Sequence, residues 1–220
     1  MSRPLLILRP EPGASETARA AARLGLKAEV RPLFAIGAVG WAPPDPNRYD
    51  ALMITSANAA RMAGDALHLY AGLPLYAVGG RTAEALALAG LSDARIGPGD
   101  AQGLAAMMAR DGRRRIVHLC GIDRRDFDPG ALKIDAIAVY RANVIDPPPS
   151  LADAAEHVAL LHSPRAARTF AACVPARSDV RIAAISAATA EAAGEGWAAR
   201  AIAATPDDAA LLAAAAGLCQ

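Results

Sequence analysis

The chain has 220 residues, with 23 Lys and Arg against 22 Asp and Glu for a net charge of +1. That length admits one large domain or two small ones with a real core, and that charge excludes attraction to nucleic acid or a membrane through a global field. Cys120, Cys173 and Cys219 lack paired spacing, which excludes a disulfide or cysteine-based metal framework, and no apolar run reaches the roughly 20 residues of a membrane span.

Leu5 to Leu8 reads as a buried strand and is too short before Arg9 to be the apolar core of a signal peptide, so a cytoplasmic protein is expected. A turn through Pro10 to Gly13, a helix near Ala14 to Leu24 closed by Gly25, and a strand at Ala28 to Arg31 follow. Phe34 to Gly40 is β-like, and Pro43-Pro44-Asp45-Pro46 cannot lie inside a helix. Strand and helix then alternate from Asp50 to Thr55, Leu75 to Gly79 and Ala94 to Gly97, each strand leading into an Ala-rich helical pattern.

The pattern restarts with a strand at Arg115 to Leu119, a turn and short helix over Gly121 to Leu132, and a strand at Ile134 to Tyr140. After Pro147-Pro148-Pro149, strand-helix units recur at His157 to His162, Arg181 to Ile185 and Arg200 to Ala204. Such alternation predicts an α/β fold with mainly parallel sheets.

The second half repeats the first. At a single offset of 107 positions, Ser56 meets Ser163, Arg61 meets Arg168, Thr82 meets Thr189 and Asp100 meets Asp207. Proline clusters at equivalent places suggest two chain crossings. The expectation is two interleaved five-strand domains, residues 1–36 plus 147–220 and residues 37–146; a single split near residue 111 is the other arrangement.

These residues resemble the uroporphyrinogen-III synthase family. The resemblance is carried by Ile7-Leu8-Arg9-Pro10, Thr55-Ser56-Ala57-Asn58-Ala59, Tyr76 to Gly79 leading to Thr82-Ala83, and Cys120-Gly121 with Arg125. Val139-Tyr140-Arg141, His162-Ser163-Pro164 and Ile185-Ser186 leading to Thr189-Ala190 complete it. It implies two flavodoxin-like domains with parallel sheets, interleaved in sequence and joined by a two-stranded β connector. The implied activity is that of a lyase that cyclises hydroxymethylbilane, with inversion of ring D and loss of water, to uroporphyrinogen III in haem biosynthesis. No cofactor and no metal are implied; the expected protein is a cytoplasmic monomer in transient contact with hydroxymethylbilane synthase, and neither nucleic acid nor membrane is a partner.

Ser56, Thr82, Ser163 and Thr189 fall in strand-to-helix turns, where open α/β sheets bind ligands and helix N-termini offer free N–H groups. Each is also a natural helix N-cap, and the two roles are compatible on the edge of a cleft. The expectation is that the four turns line an interdomain cleft and grip substrate carboxylates. Asn58 and Gly121 join them through the motifs above, and Arg9, Arg125 and Arg165 are the charged candidates; the loop leaves Arg124 or Arg125 to take the family's basic position. Tyr140 matches the connector tyrosine that implies a proton donor, since a phenol is protonated at neutral pH, and it could equally pack its ring in a junction. Of the four histidines only His162 is expected near the cleft, and none has a partner spaced for a metal or a Ser-His-Asp arrangement. A two-lobed binding protein for a small anion is the rival function. The absence of a Gly-x-Gly-x-x-Gly after a strand opposes a dinucleotide fold.

Overall fold

The computed structural model describes residues 2–124, 126–174 and 176–220. In chain order the regular elements are β1 (Leu5–Ile7), α1 (Gly13–Arg23), β2 (Ala28–Val30), β3 (Phe34–Ala38), β4 (Ala51–Ile54), α2 (Ala57–Met62), β5 (Leu75–Ala77), α3 (Gly80–Leu88), β6 (Arg95–Ile96) and α4 (Ala101–Arg110). They continue with β7 (Arg115–Gly121), β8 (Lys133–Val144), β9 (Val158–Leu161), α5 (Pro164–Cys173), β10 (Arg181–Ala184), α6 (Ala187–Ala193), β11 (Ala199–Ile202) and α7 (Asp208–Ala216).

The chain forms two compact units, one of Met1–Ala35 with Asn143–Gln220 and one of Ile36–Ala142. The first holds a five-stranded sheet in the order β11-β10-β9-β1-β2, and the second sheet has six strands in the order β3-β8-β7-β4-β5-β6. Pairs within the first sheet and along β8-β7-β4-β5-β6 are parallel. Leaving β3 aside, both sheets share one spatial order, so the sequence repeat is a repeat of fold. Strand order reverses at β1/β9 in the first unit and at β7/β4 in the second, and a doubly wound sheet opens its crevice at such a reversal.

The sixth strand departs from the five expected in the second unit. β8 runs for 12 residues against 7 in β7, leaving an outer edge that β3 occupies. Hydrogen bonds from Ile145 N to Leu33 O and from Val39 N to Val139 O show these two strands running antiparallel. The chain passes between the units within β3 and β8, whereas Pro43-Pro44 packs on the second unit, where the Tyr70 hydroxyl donates to the Pro44 carbonyl at 3.0 Å.

The expected short helix within Gly121 to Leu132 is absent among the described residues. Pro129 and Gly130 favour a turn, and the Asp128 carboxylate accepts from the Gly130 N–H at 2.8 Å. The Gln102 amide also engages both backbone groups of Asp128, at 3.0 and 2.9 Å. These contacts satisfy locally the backbone that a helix would otherwise pair.

The central strands β4 and β9 are buried at every residue, as parallel strands covered on both faces require. On the second sheet Leu52, Ile54, Val117 and Leu119 pack under α2 and α3, and Ala51, Met53, Tyr76 and Ile116 pack under α4 through Leu104 and Met108. In the first unit Leu5, Ile7, Leu160 and Ala183 meet α1 and α7 through Ala14, Ala21 and Leu211. No helix among the described residues is long and apolar enough to cross a membrane.

Gly25 closes α1 as the sequence predicts. It adopts φ +73°, and the Gly25 and Leu26 N–H groups return to the Ala22 and Ala21 carbonyls at 3.0 Å, a left-handed cap that suits glycine. A Cβ there would meet nothing, so Gly25→Ala tests backbone strain alone: a loss of about 1 kcal/mol is expected, read as a lower urea midpoint with unchanged slope.

Candidate functional site

The turns before α2, α4, α5, α6 and α7 are each built on a short polar residue in extended backbone. Ser56, before α2, accepts from Asn58 N at 3.2 Å. Ser163, before α5, accepts from Ala166 N at 3.1 Å. Asp100 and Asp207 cap α4 and α7 in the same way, at 2.7 and 2.9 Å. Capping satisfies an N–H that the helix cannot, and it fixes the angle at which the next N–H groups leave the sheet.

Thr82 and Thr189 do not occupy the cap position. They lie one turn inside their helices, 4% and 0% exposed, and the caps are Gly79 and Ser186. The Thr189 hydroxyl is spent on Ser186 Oγ at 3.0 Å. The repeat at 107 positions pairs Thr82 with Thr189 but does not mark Ser186 as a cap, because its partner, Gly79, has no side chain to match.

In the second unit a cleft of about 500 Å³ opens at the β7/β4 reversal, lined by Thr55, Ser56, His118, Gly121, Arg124 and Tyr140, with Phe127 and the first turn of α4. Gly121 decides its shape. The β7–β8 register shifts between Cys120 and Gly121, setting Gly121 opposite Tyr140. A Cβ on Gly121 would lie 2.7 Å from Tyr140 Cζ and 2.9 Å from its hydroxyl oxygen, so the phenol occupies the space a side chain would need. Burial raises the Tyr140 pKa, Ser56 opposes this through a hydrogen bond, and Cys120 and Asp123 push it up further. The phenol is therefore protonated at neutral pH and able to donate.

His118 shares the cleft, against the expectation that only His162 would. It is 2% exposed, and its Nε2 lies 2.8 Å from Thr55 Oγ1. Nδ1 has no hydrogen-bond partner among the described residues, and the ring meets Phe127 edge-on at 6.0 Å. Burial, then the charge of Arg124, lowers its pKa to about 4, so it is neutral near pH 7. An unsatisfied buried polar atom costs about 1–3 kcal/mol. A lone histidine in the apolar run Arg115 to Leu119 was the available signal, legible only once strand alternation is joined to the end of the sheet.

The remaining predicted residues are distributed as follows. Asn58 is in α2, accepting from Arg61 at 3.3 Å. Arg125 lies outside the described residues. In the first unit, Arg9 donates to both Asp208 oxygens at 2.9 Å, and Arg165 stacks over the Phe34 ring at 4.9 Å. Thr17 also donates to Asp208 at 2.9 Å. His162 Nε2 stands 3.5 Å from the same carboxylate, an ion-pair distance that leaves both ring nitrogens without a hydrogen bond among the described residues. Burial works against ionisation of Asp208, but His162, Arg9 and Thr17 together outweigh it and hold its pKa well below the usual carboxylate range. Burial in turn lowers the His162 pKa, so Arg9 carries the compensating charge. A second cluster, Glu29, Asp153 and His157, brings ligand-type atoms within 4.8 Å of one another. The Arg31 guanidinium already sits on it, 2.7 Å from Asp153 Oδ2, and supplies the positive charge.

Two doubly wound α/β units interleaved in one chain, with a tyrosine-bearing cleft at a strand reversal in the second, define a class of two-unit α/β proteins. The family model described as uroporphyrinogen-III synthase HemD matches residues 15–213, and the chain belongs to the uroporphyrinogen-III synthase family. The fold is similar to that of uroporphyrinogen-III synthetase from Helicobacter pylori 26695, with a TM-score of 0.66 and 16% identity over 98% of this chain and 99% of that one. Two structures of uroporphyrinogen III synthase from Thermus thermophilus align with TM-scores of 0.40 and 0.43 at 15% and 17% identity, covering 98% and 96% of this chain and 96% and 97% of theirs. No curated protein matches.

Two outcomes test the geometry. Asp208→Ala strands Arg9 and Thr17 and is expected to cost about 1–3 kcal/mol near neutral pH, measured by urea denaturation. Because the folded-state pKa of Asp208 is depressed, its contribution is present above the unfolded value near 4 and disappears as pH falls through the folded value. The difference between wild type and variant should therefore narrow on acidification below about pH 4.

Proposed function

We propose that this chain cyclises hydroxymethylbilane to uroporphyrinogen III, and that Tyr140 is the proton donor. Family membership supports the reaction over the two-lobed binding protein. The observation that supports the site is the Tyr140 phenol seated against Gly121 and lining the same cleft as Ser56, with burial keeping it protonated. The reading takes the protein as a cytoplasmic monomer that receives its substrate from hydroxymethylbilane synthase through transient contact.

Loss of the ring A hydroxyl as water leaves an electrophilic azafulvene. Ring D attacks through its substituted carbon, and the spirocyclic intermediate fragments and recombines with ring D inverted. Most of this reactivity belongs to the substrate. The leaving oxygen needs a proton, which a neutral phenol can share as the C–O bond stretches. The chain must also be held so that ring D closes at the substituted carbon, which is catalysis by orientation. Turn N–H groups at Ser56 and Ser163 and the side chains of Asn58, Arg9, Arg125 and Arg165 remain the proposed carboxylate contacts. Thr82 and Thr189 support them from below, since their side chains are buried and their N–H groups are bonded to Gly79 and Ser186.

Coupling the protein to a supply of hydroxymethylbilane and resolving the product isomers tests the reading: type III is expected, and type I alone, the spontaneous product, would overturn it. Tyr140→Phe should lower kcat by about 10²-fold with an unchanged melting temperature. Gly121→Ala should produce a comparable loss by displacing the ring; full activity in both variants would remove Tyr140 from the chemistry.

A further inference from the structure

His118 is the one strongly buried cleft residue that the reaction above does not use. It lies in the middle of β7, paired with Met53 of β4 and Ala136 of β8, on the face where Ile116, Met53 and Leu104 form an apolar core. A leucine or phenylalanine would suit those surroundings without leaving Nδ1 unsatisfied. The only hydrogen bond the imidazole makes among the described residues is the 2.8 Å contact to Thr55 Oγ1. Thr55 is the last residue before Ser56, the cap of α2, which lines the same cleft as Tyr140. α2 is short, running only from Ala57 to Met62, so its own helical bonds supply little rigidity to that turn.

We propose that His118 is a positioning residue: its bond to Thr55 fixes the β4–α2 turn and, through it, the orientation of the Ser56 and Tyr140 hydroxyls toward the reacting end of the substrate. A central strand, packed on both sides, is the stiffest element available in the unit. Anchoring the turn to it transmits that stiffness to a donor pair whose alignment the reaction depends on. The proposal rests on the synthase reading for its catalytic consequence, but the holding of the turn stands on the geometry alone.

The test uses the full chain with His118→Phe, His118→Gln, Thr55→Val and the double variant His118→Phe/Thr55→Val. His118→Phe should keep or raise the melting temperature while kcat falls about tenfold, KM moves less than about threefold, and the share of type III product drops. His118→Gln, which can return an amide group to the Nε2 position, should recover most of the loss. Thr55→Val cuts the same bond while leaving His118 in the core, so it should match His118→Phe, and the double variant should be no worse than either. Hydrogen exchange at the Ser56 to Asn58 amides should quicken about tenfold in His118→Phe and Thr55→Val. Unchanged kcat, isomer ratio and exchange in His118→Phe would make the residue mere packing, as would losses that multiply in the double variant. If the wild-type protein gives type I product only, the synthase reading falls, and the exchange comparison still decides whether His118 holds the turn.

Discussion

A phenol ring lying where a side chain on the opposite strand should be is the contact on which the cleft depends. Tyr140 can cross Gly121 only because that position has no Cβ, and it does so only because the β7–β8 register shifts at Cys120/Gly121. A bulge of this kind re-aims a side chain at the end of a strand. The ring packs against the end of the core under α2 and α3 and lines the cleft with Ser56, the cap of α2. Burial raises its pKa and keeps it a donor.

Around that ring the cleft mixes neutral and charged groups: the hydroxyls of Thr55, Ser56 and Tyr140 and a neutral imidazole stand beside Asp100, Asp123, Arg124 and Asp126. The part-exposed carboxylates of the first unit are balanced internally: Asp208 by Arg9 with Thr17 and His162 alongside, and Asp153 by Arg31. Arg9 thus has a structural partner in the first unit, and any contact it makes with a substrate carboxylate competes with Asp208.

The two units show one fold put to different local ends. Both follow the same strand order and cap equivalent helices with Ser56 and Ser163 and with Asp100 and Asp207. At the β7/β4 reversal the second unit places His118 and Tyr140; at the β1/β9 reversal the first places the Arg9–Asp208 pair. A doubled scaffold leaves each reversal free to take its own side chains, since the sheet order depends on the apolar strands alone.

Fold class, the repeat, the strand cores and the caps Ser56 and Ser163 were legible in the sequence because they are local: a four-residue apolar run, a Ser before an Ala-rich helix, a Gly after one. The family resemblance pointed to Tyr140 and Gly121 separately. Their contact was not legible, because it depends on a register shift between strands that no residue announces. The Gly121 to Leu132 segment was misread as partly helical because the Gln102 amide that holds Asp128 comes from 26 positions away. His118 looked like an ordinary strand residue, and its bond to Thr55 spans 63 positions. Periodicity and short-range caps act along the chain and so determined the elements and their order. The shape of the cleft and the partner of each polar group were decided by packing across strands, where a missing Cβ or a single bulge outweighs any local preference.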